Sequence, residues 1–169
     1  MSTANGGAPA PVFWEAAKKL AKAGYPVFPV KDKVPSVEGG FYAATTDLSQ
    51  VAAWIEEGRA QHDVAFATGL PSGVVVMDAD TPEAFEHMRQ GHSDPTVKTK
   101  RGGHWPFRHP RNGRVKSGKV GAGLDCKGDG GYVAAPPIWP YLDGRHTGPG
   151  GAARAAGGVP PQGHHDCYE

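Results

Sequence analysis

Asp78 and Asp80 stand one residue apart at the end of the apolar run Gly73-Val74-Val75-Val76-Met77. A strand sends alternate side chains to opposite faces, so the two carboxylates share a face where a buried strand ends. Acids held that close repel unless a positive charge lies between them, and a divalent cation is the usual solution. Asp also ends strands as a turn former or helix cap, and on this motif alone the two readings are level. A second motif is Thr99-Lys100-Arg101-Gly102-Gly103-His104-Trp105-Pro106-Phe107. Gly102 and Gly103 allow close backbone approach to a ligand, and Lys100, Arg101 and His104 would surround a polyanion, naturally a phosphate, with donors. A hairpin turn with a packed histidine fits the same residues. A third motif runs from Gly123 to Val133, with Asp125 on an apolar-start strand and Lys127 beside it. Three acids on neighbouring strands can hold two divalent ions about 3.5–4 Å apart, the arrangement used in nucleotidyl transfer. Asp129, within Gly128-Asp129-Gly130-Gly131, reads as a turn residue.

Positioning these groups takes both helices and strands. Phe13, Ala16, Ala17 and Leu20 fall at helical spacing over Pro11–Ala23, with Gly24 past the end. Asp47 is placed to cap a second helix with Leu48, Val51, Trp54 and Ile55 on its buried face and Gly58 as its stop. Thr81-Pro82 opens a third, with Phe85 and Met88 inward and Gly91 ending it. Strands are expected at Pro26–Val30, Val64–Thr68 and Gly73–Asp78, the last two as a hairpin joined by Gly69–Ser72. Further short strands are expected at Thr96–Lys100, His104–Phe107, Arg114–Lys116, Gly123–Lys127 and Tyr132–Ala135, with Pro106 confining its strand to an edge. The pattern predicts an α+β fold of mixed and antiparallel sheets with flanking helices.

The chain has 169 residues and 38% hydrophobic residues, enough for one domain with a core. A flexible leader is expected over 1–10, a catalytic domain over 11–145, and a low-complexity, disordered tail over 146–169. No apolar run reaches the roughly 18 residues of a membrane span, and the first residues lack a secretion signal, so a cytoplasmic protein without membrane contact is expected. Cys126 and Cys167 are far apart and form neither a zinc motif nor a disulfide framework. The His164-His165-Asp166-Cys167 cluster is a weak metal candidate. The net charge of +1 conceals an asymmetry: residues 98–119 hold eight Lys and Arg and no acid. Such a block suggests a phosphate-facing stripe.

In their order the motifs resemble the primase–polymerase domain of the archaeo-eukaryotic primase superfamily, of the type found in phage and plasmid replication proteins. The resemblance spans about residues 13–140. It includes Tyr25-Pro26-Val27-Phe28-Pro29-Val30, Lys33-Val34-Pro35, Ala44-Thr45-Thr46-Asp47, Asp78-x-Asp80, the glycine turn before His104, and Asp125 running into Gly131-Tyr132-Val133-Ala134-Ala135-Pro136-Pro137. It implies an RNA-recognition-like catalytic module, with Asp78, Asp80 and Asp125 holding two Mg²⁺ or Mn²⁺ ions and His104 contacting nucleotide phosphates. Arg101 and Lys127 are phosphate or template contacts on chemical grounds, and Lys33 lies in a shared loop without an assigned mechanism. The implied activity is DNA primase and polymerase, with single-stranded DNA and dNTP or NTP as partners. No GxxxxGK[ST] is present, so a replicative helicase would be a separate chain or domain. The alternatives are a degenerate nucleotide- or DNA-binding module and a metal-dependent nuclease. Pro106 and the segment after Arg145 depart from the family's pattern.

Overall fold

The computed structural model describes residues 12–92 and 94–135. The expected leader, the 146–169 tail and the His164–Cys167 cluster lie outside the described residues. Two antiparallel sheets are stacked with helices on both outer sides. The first sheet holds β1 (Val27–Lys31), β2 (Val34–Pro35), β3 (Asp63–Ala67) and β9 (Tyr132–Ala134), in the order β2-β1-β3-β9. The second holds β4 (Val74–Ala79), β5 (Val97–Lys98), β6 (Gly103–Arg108), β7 (Gly118–Gly121) and β8 (Leu124–Lys127), in the order β5-β6-β4-β8-β7. Every pairing between these strands is antiparallel. This is the expected α+β class.

The three helices form where their caps and apolar faces predict. Helix α1 (Val12–Lys22) buries Phe13, Ala17 and Leu20. Helix α2 (Leu48–Trp54) starts at Asp47, whose carboxylate accepts from Ser49 N at 2.8 Å, and buries Val51 and Trp54. Beyond it the chain keeps turning over Ile55–Arg59, but Gly58 is left-handed at φ 94° and interrupts the helix where the stop was expected. Helix α3 (Pro82–Gly91) is capped by Thr81 Oγ1, which accepts from Ala84 N at 3.2 Å, and it buries Met88.

The parity of β4 divides the core. Val74 and Val76 join Phe13, Phe28, Phe66 and Val51 in a cluster beneath α1 and α2, whereas Val75, Met77 and Ala79 join Met88, Trp105 and Phe107 beneath α3. Each large side chain so buried stabilises the fold by about 1.5–3 kcal/mol before entropy is counted. This two-sided burial overturns the expected β3–β4 hairpin. The turn exists, with Gly69 N donating to Val74 O at 2.7 Å, but β3 pairs with β1 and β9 while β4 pairs with β6 and β8. An all-apolar strand needs a layer on each face, and β4 finds both only at the centre of the second sheet.

Pro106 is also not on an edge strand as a whole, since β6 pairs with both β4 and β5. His104 O accepts from Thr96 N on the β5 side at 3.0 Å. Pro106 has the same parity, so its nitrogen points outward beyond the end of β5, where no N–H is required. The expected strand at Arg114–Lys116 reduces to an isolated bridge from Lys116 to Asp129. Sequence reading missed β2, β7 and the 3₁₀ turn Gly40–Ala43. No helix among the described residues is long and apolar enough to cross a membrane.

Candidate active site

The inter-sheet face of β4 is apolar at Val74 and Val76 and then carries Asp78 and Asp80. There the space between the sheets opens into a cleft of about 740 Å³. Asp78 is opposite His104 on β6 and opposite Asp125 on β8, and Asp125 is opposite Lys119 on β7. Directly opposed residues share a face, so a row His104–Asp78–Asp125–Lys119 crosses four adjacent strands. Asp78, Asp80, His104 and Lys127 line the cleft, with Asp125 beside Asp78 at its margin.

Each acid is met by a basic side chain. Asp78 Oδ1 lies 3.3 Å from His104 Nε2, Asp125 Oδ2 accepts from Lys127 Nζ at 2.9 Å, and Asp80 Oδ1 lies 3.5 Å from Arg101 Nη2. Only 16% of the Asp78 side chain is exposed, against 41% for Asp80. Burial would push the Asp78 carboxyl up, but the His104 hydrogen bond and the charges of His104, Lys127 and Lys33 outweigh it and hold it below the usual carboxylate value. His104 is buried, and its Nδ1 has no hydrogen-bond partner among the described residues. Nδ1 itself has no exposed surface, and the other such atom among the described residues is Tyr25 Oη in the core.

The donor set fits a hard divalent ion: three carboxylates, two directly opposed and the third two residues along one strand. Among the described residues no three His, Cys, Asp or Glu side chains are gathered around one point to hold an ion. The chemistry of the donors therefore suits a metal, while their present contacts are to Lys127, Arg101 and His104.

The glycine pair shapes protein rather than lining the cleft. Gly102 N donates to Thr99 Oγ1 at 3.0 Å and Thr99 N donates to Gly102 O at 2.9 Å, closing a tight turn between β5 and β6. A Cβ on Gly102 would overlap the Ala79 carbonyl, so the turn can press against the end of β4 only as glycine. Gly103 packs likewise against Pro95. The turn carries Thr99 and Lys100 to the cleft wall.

The basic block is split by the fold. Lys98 and Lys100 line the cleft and Arg101 meets Asp80, but Arg108 lies four residues beyond His104 along β6, roughly 13 Å away. It leads to Arg111 and Arg114 at the far end of the sheet, so the expected continuous stripe does not form. Asp129 stays out of the cleft. Its carboxylate accepts from Leu70 N at 2.8 Å and Val115 N at 2.9 Å and meets His109 Nε2 at 3.2 Å. That is the turn role expected of it.

Two cleft residues, Lys33 and Ser117, had no role assigned from the sequence, whereas Lys98 belongs to the basic block already singled out. Lys33, known only as part of a shared loop, comes from the first sheet on the β1–β2 turn, and Tyr132 Oη donates to its carbonyl at 3.0 Å. Ser117 and Lys98 complete the opposite wall. Asp32-Lys33 lacks the glycine that marks a two-residue hairpin, and both residues are left-handed, so the turn was hard to read from residue types.

The family model described as bifunctional DNA primase/polymerase, N-terminal (Prim-Pol), matches residues 17–161. That match contains every acid and cation of the cleft. No curated protein matches the chain. With most of its length covered, including both sheets, the chain belongs to the Prim-Pol family of bifunctional DNA primase/polymerase domains, a family linked to nucleotide polymerisation.

Proposed function

We propose that the cleft carries out template-directed nucleotidyl transfer, synthesising or extending primers on single-stranded DNA in replication of the phage or plasmid type. The observation that carries this reading is the row His104–Asp78–Asp125 across β6, β4 and β8, at the mouth of a cleft that Lys33, Lys98, Lys100 and Lys127 also line. Asp78, Asp80 and Asp125 would hold Mg²⁺ or Mn²⁺, which supplies activation of a primer 3′-hydroxyl and neutralisation of the triphosphate and leaving pyrophosphate.

The chain's own groups do the rest. His104 lines the cleft and would meet a phosphate oxygen through Nε2, the nitrogen that now faces Asp78, where a hydrogen bond to a charged group is strong. Lys127 and Arg101 change partner, from carboxylate to phosphate, when substrate arrives. Lys33 approaches from the first sheet, so an incoming triphosphate is held between the two layers. A helicase, where one acts with it, is a separate chain or domain.

A second reading, a module that binds nucleotide or DNA without turnover, draws on one fact: each of the three acids already touches a basic side chain. Primer extension with labelled dNTP on a single-stranded template separates them. Wild type is expected to extend in Mg²⁺ or Mn²⁺, and Asp78→Ala, Asp80→Ala and Asp125→Ala to fall to background. Wild type that folds and binds DNA yet extends nothing points to the binding module. Degradation of the labelled strand with the same acid dependence points to a nuclease.

A further inference from the structure

The rim of the cleft on the first-sheet side carries a surface that the proposed chemistry does not use. The β1–β2 hairpin turns through Asp32 and Lys33, both left-handed at φ 51° and 66°, and brings Lys33 to the cleft. The 3₁₀ turn Gly40–Ala43 packs beside β2, with a Cβ on Gly40 reaching 3.9 Å from Pro35 Cβ. Phe41 leans toward Gly130, a cleft residue, its Cζ 3.8 Å from where a Cβ would stand. The Tyr42 ring lies over Phe41, centroids 4.1 Å apart and planes inclined by 33°, yet Tyr42 is 84% exposed. Val34 is 63% exposed, so two of the three exposed large apolar side chains among the described residues belong to this rim.

A tyrosine stacked on a second ring and open on its other face is a preorganised platform for a planar ligand. Nucleobases stack on such rings whatever their sequence. We infer that Phe41 and Tyr42 form a stacking platform for a base of the single-stranded DNA template as it enters the cleft. The proposal rests on the reading of the cleft as a site that acts on nucleic acid. Charge supports this division of labour. Lys31 and Lys33 are offset by Asp32 and Glu38 on the same hairpin and loop, so the rim is near neutral. Attraction to phosphates comes from the cleft lysines, and the rim adds ring surface. The platform therefore strengthens binding without adding to its salt dependence.

The test is fluorescence anisotropy with the full chain, a labelled oligo-dT, and the same strand carrying abasic sites, across a range of salt. Wild type is expected to favour oligo-dT. Tyr42→Ala should bind oligo-dT on the order of tenfold more weakly. It should bind the abasic strand as wild type does and keep the same slope of affinity against salt. Tyr42→Trp should restore the preference, and thermal melts should show that both variants fold, since Tyr42 supports no core. The proposal fails if Tyr42→Ala binds oligo-dT as wild type does, if the loss is equal on the abasic strand, or if the salt slope changes. It also fails if wild type binds no DNA, or if sedimentation shows a dimer that Tyr42→Ala dissolves, in which case a second copy covers the rings. Primer extension keeps the two readings apart. Tyr42-dependent binding without extension overturns the polymerase reading alone, whereas extension with Tyr42-independent binding overturns the platform alone.

Discussion

Strand β6 and the residue after it carry two histidines, each facing an aspartate, and the two pairs are built for opposite ends. His104 Nε2 lies 3.3 Å from Asp78, and His109 Nε2 lies 3.2 Å from Asp129. Both aspartates are held below the usual carboxylate value, in each case against the upward push of burial. Their surroundings differ. Asp129 also accepts from the backbone N–H groups of Leu70 and Val115, and His109 Nδ1 accepts from Arg111 N at 3.0 Å. That last bond leaves the His109 proton on Nε2, so the ring donates to Asp129 in a single tautomer. Ser117 Oγ donates to the Asp129 carbonyl at 3.0 Å and accepts from Gly128 N at 2.9 Å, extending the knot. In the cleft pair His104 Nδ1 has no partner among the described residues, and Asp78 faces open space and the carboxylate of the next strand. The Asp129–His109 pair is saturated and ties loops together; the Asp78–His104 pair makes fewer bonds and lies at the cleft. The difference separates a structural pair from the one that the proposed function uses.

Substitution and pH both test that contrast, in falling order of expected effect. The largest effect belongs to Asp129→Ala, which strands the buried Val115 N–H and the buried His109 ring and should cost about 2–5 kcal/mol of stability. Urea melts would measure it, and activity below the shifted transition should survive. A variant that loses activity while keeping its melt would erase the distinction. Next comes His104→Ala, expected to lower kcat/KM for the incoming nucleotide roughly tenfold to a hundredfold, the worth of one hydrogen bond to a charged group. Its unfolding midpoint should fall less than that of Asp129→Ala, since the described contact it loses is the one to Asp78. His109→Ala should instead lower the midpoint and leave kcat/KM near that of wild type. The smallest effect is in pH. A depressed carboxyl contributes stability that is complete above its unfolded value, near 4, and is lost as pH falls through its lower folded value. Acid melts of wild type should show that loss below about pH 4, and Asp129→Asn, already weakened at neutral pH, should show a shallower acid limb.

Several parts of this protein were legible from residue order. The Asp47 and Thr81 caps, the apolar faces of the three helices and the existence of most strands depend on local periodicity and capping, which a short window contains. The pairing of Asp78 and Asp80 on one face follows from strand alternation alone. Asp129 could be read as a turn residue from its glycine neighbours. What local windows do not contain is the choice between layers. The turn at Gly69–Ser72 suits a hairpin, yet β3 and β4 part because the two-sided apolar surface of β4 is satisfied only between α3 and the first sheet.

The same limit applies to the candidate site. Residue order alone puts Asp78, Asp80, Asp125 and His104 on short strands or at their ends, next to glycine turns and basic residues. The packing of the layers set His104, Asp78 and Asp125 in one row and brought Lys33 to the same cleft from the other sheet. It also decided that Gly102 is spent on the Ala79 carbonyl, and that the basic block divides between the cleft and the far end of β6. Registers between strands distant in sequence depend on burying both faces of β4 at once, and that requirement is a property of the packed layers, not of any one segment.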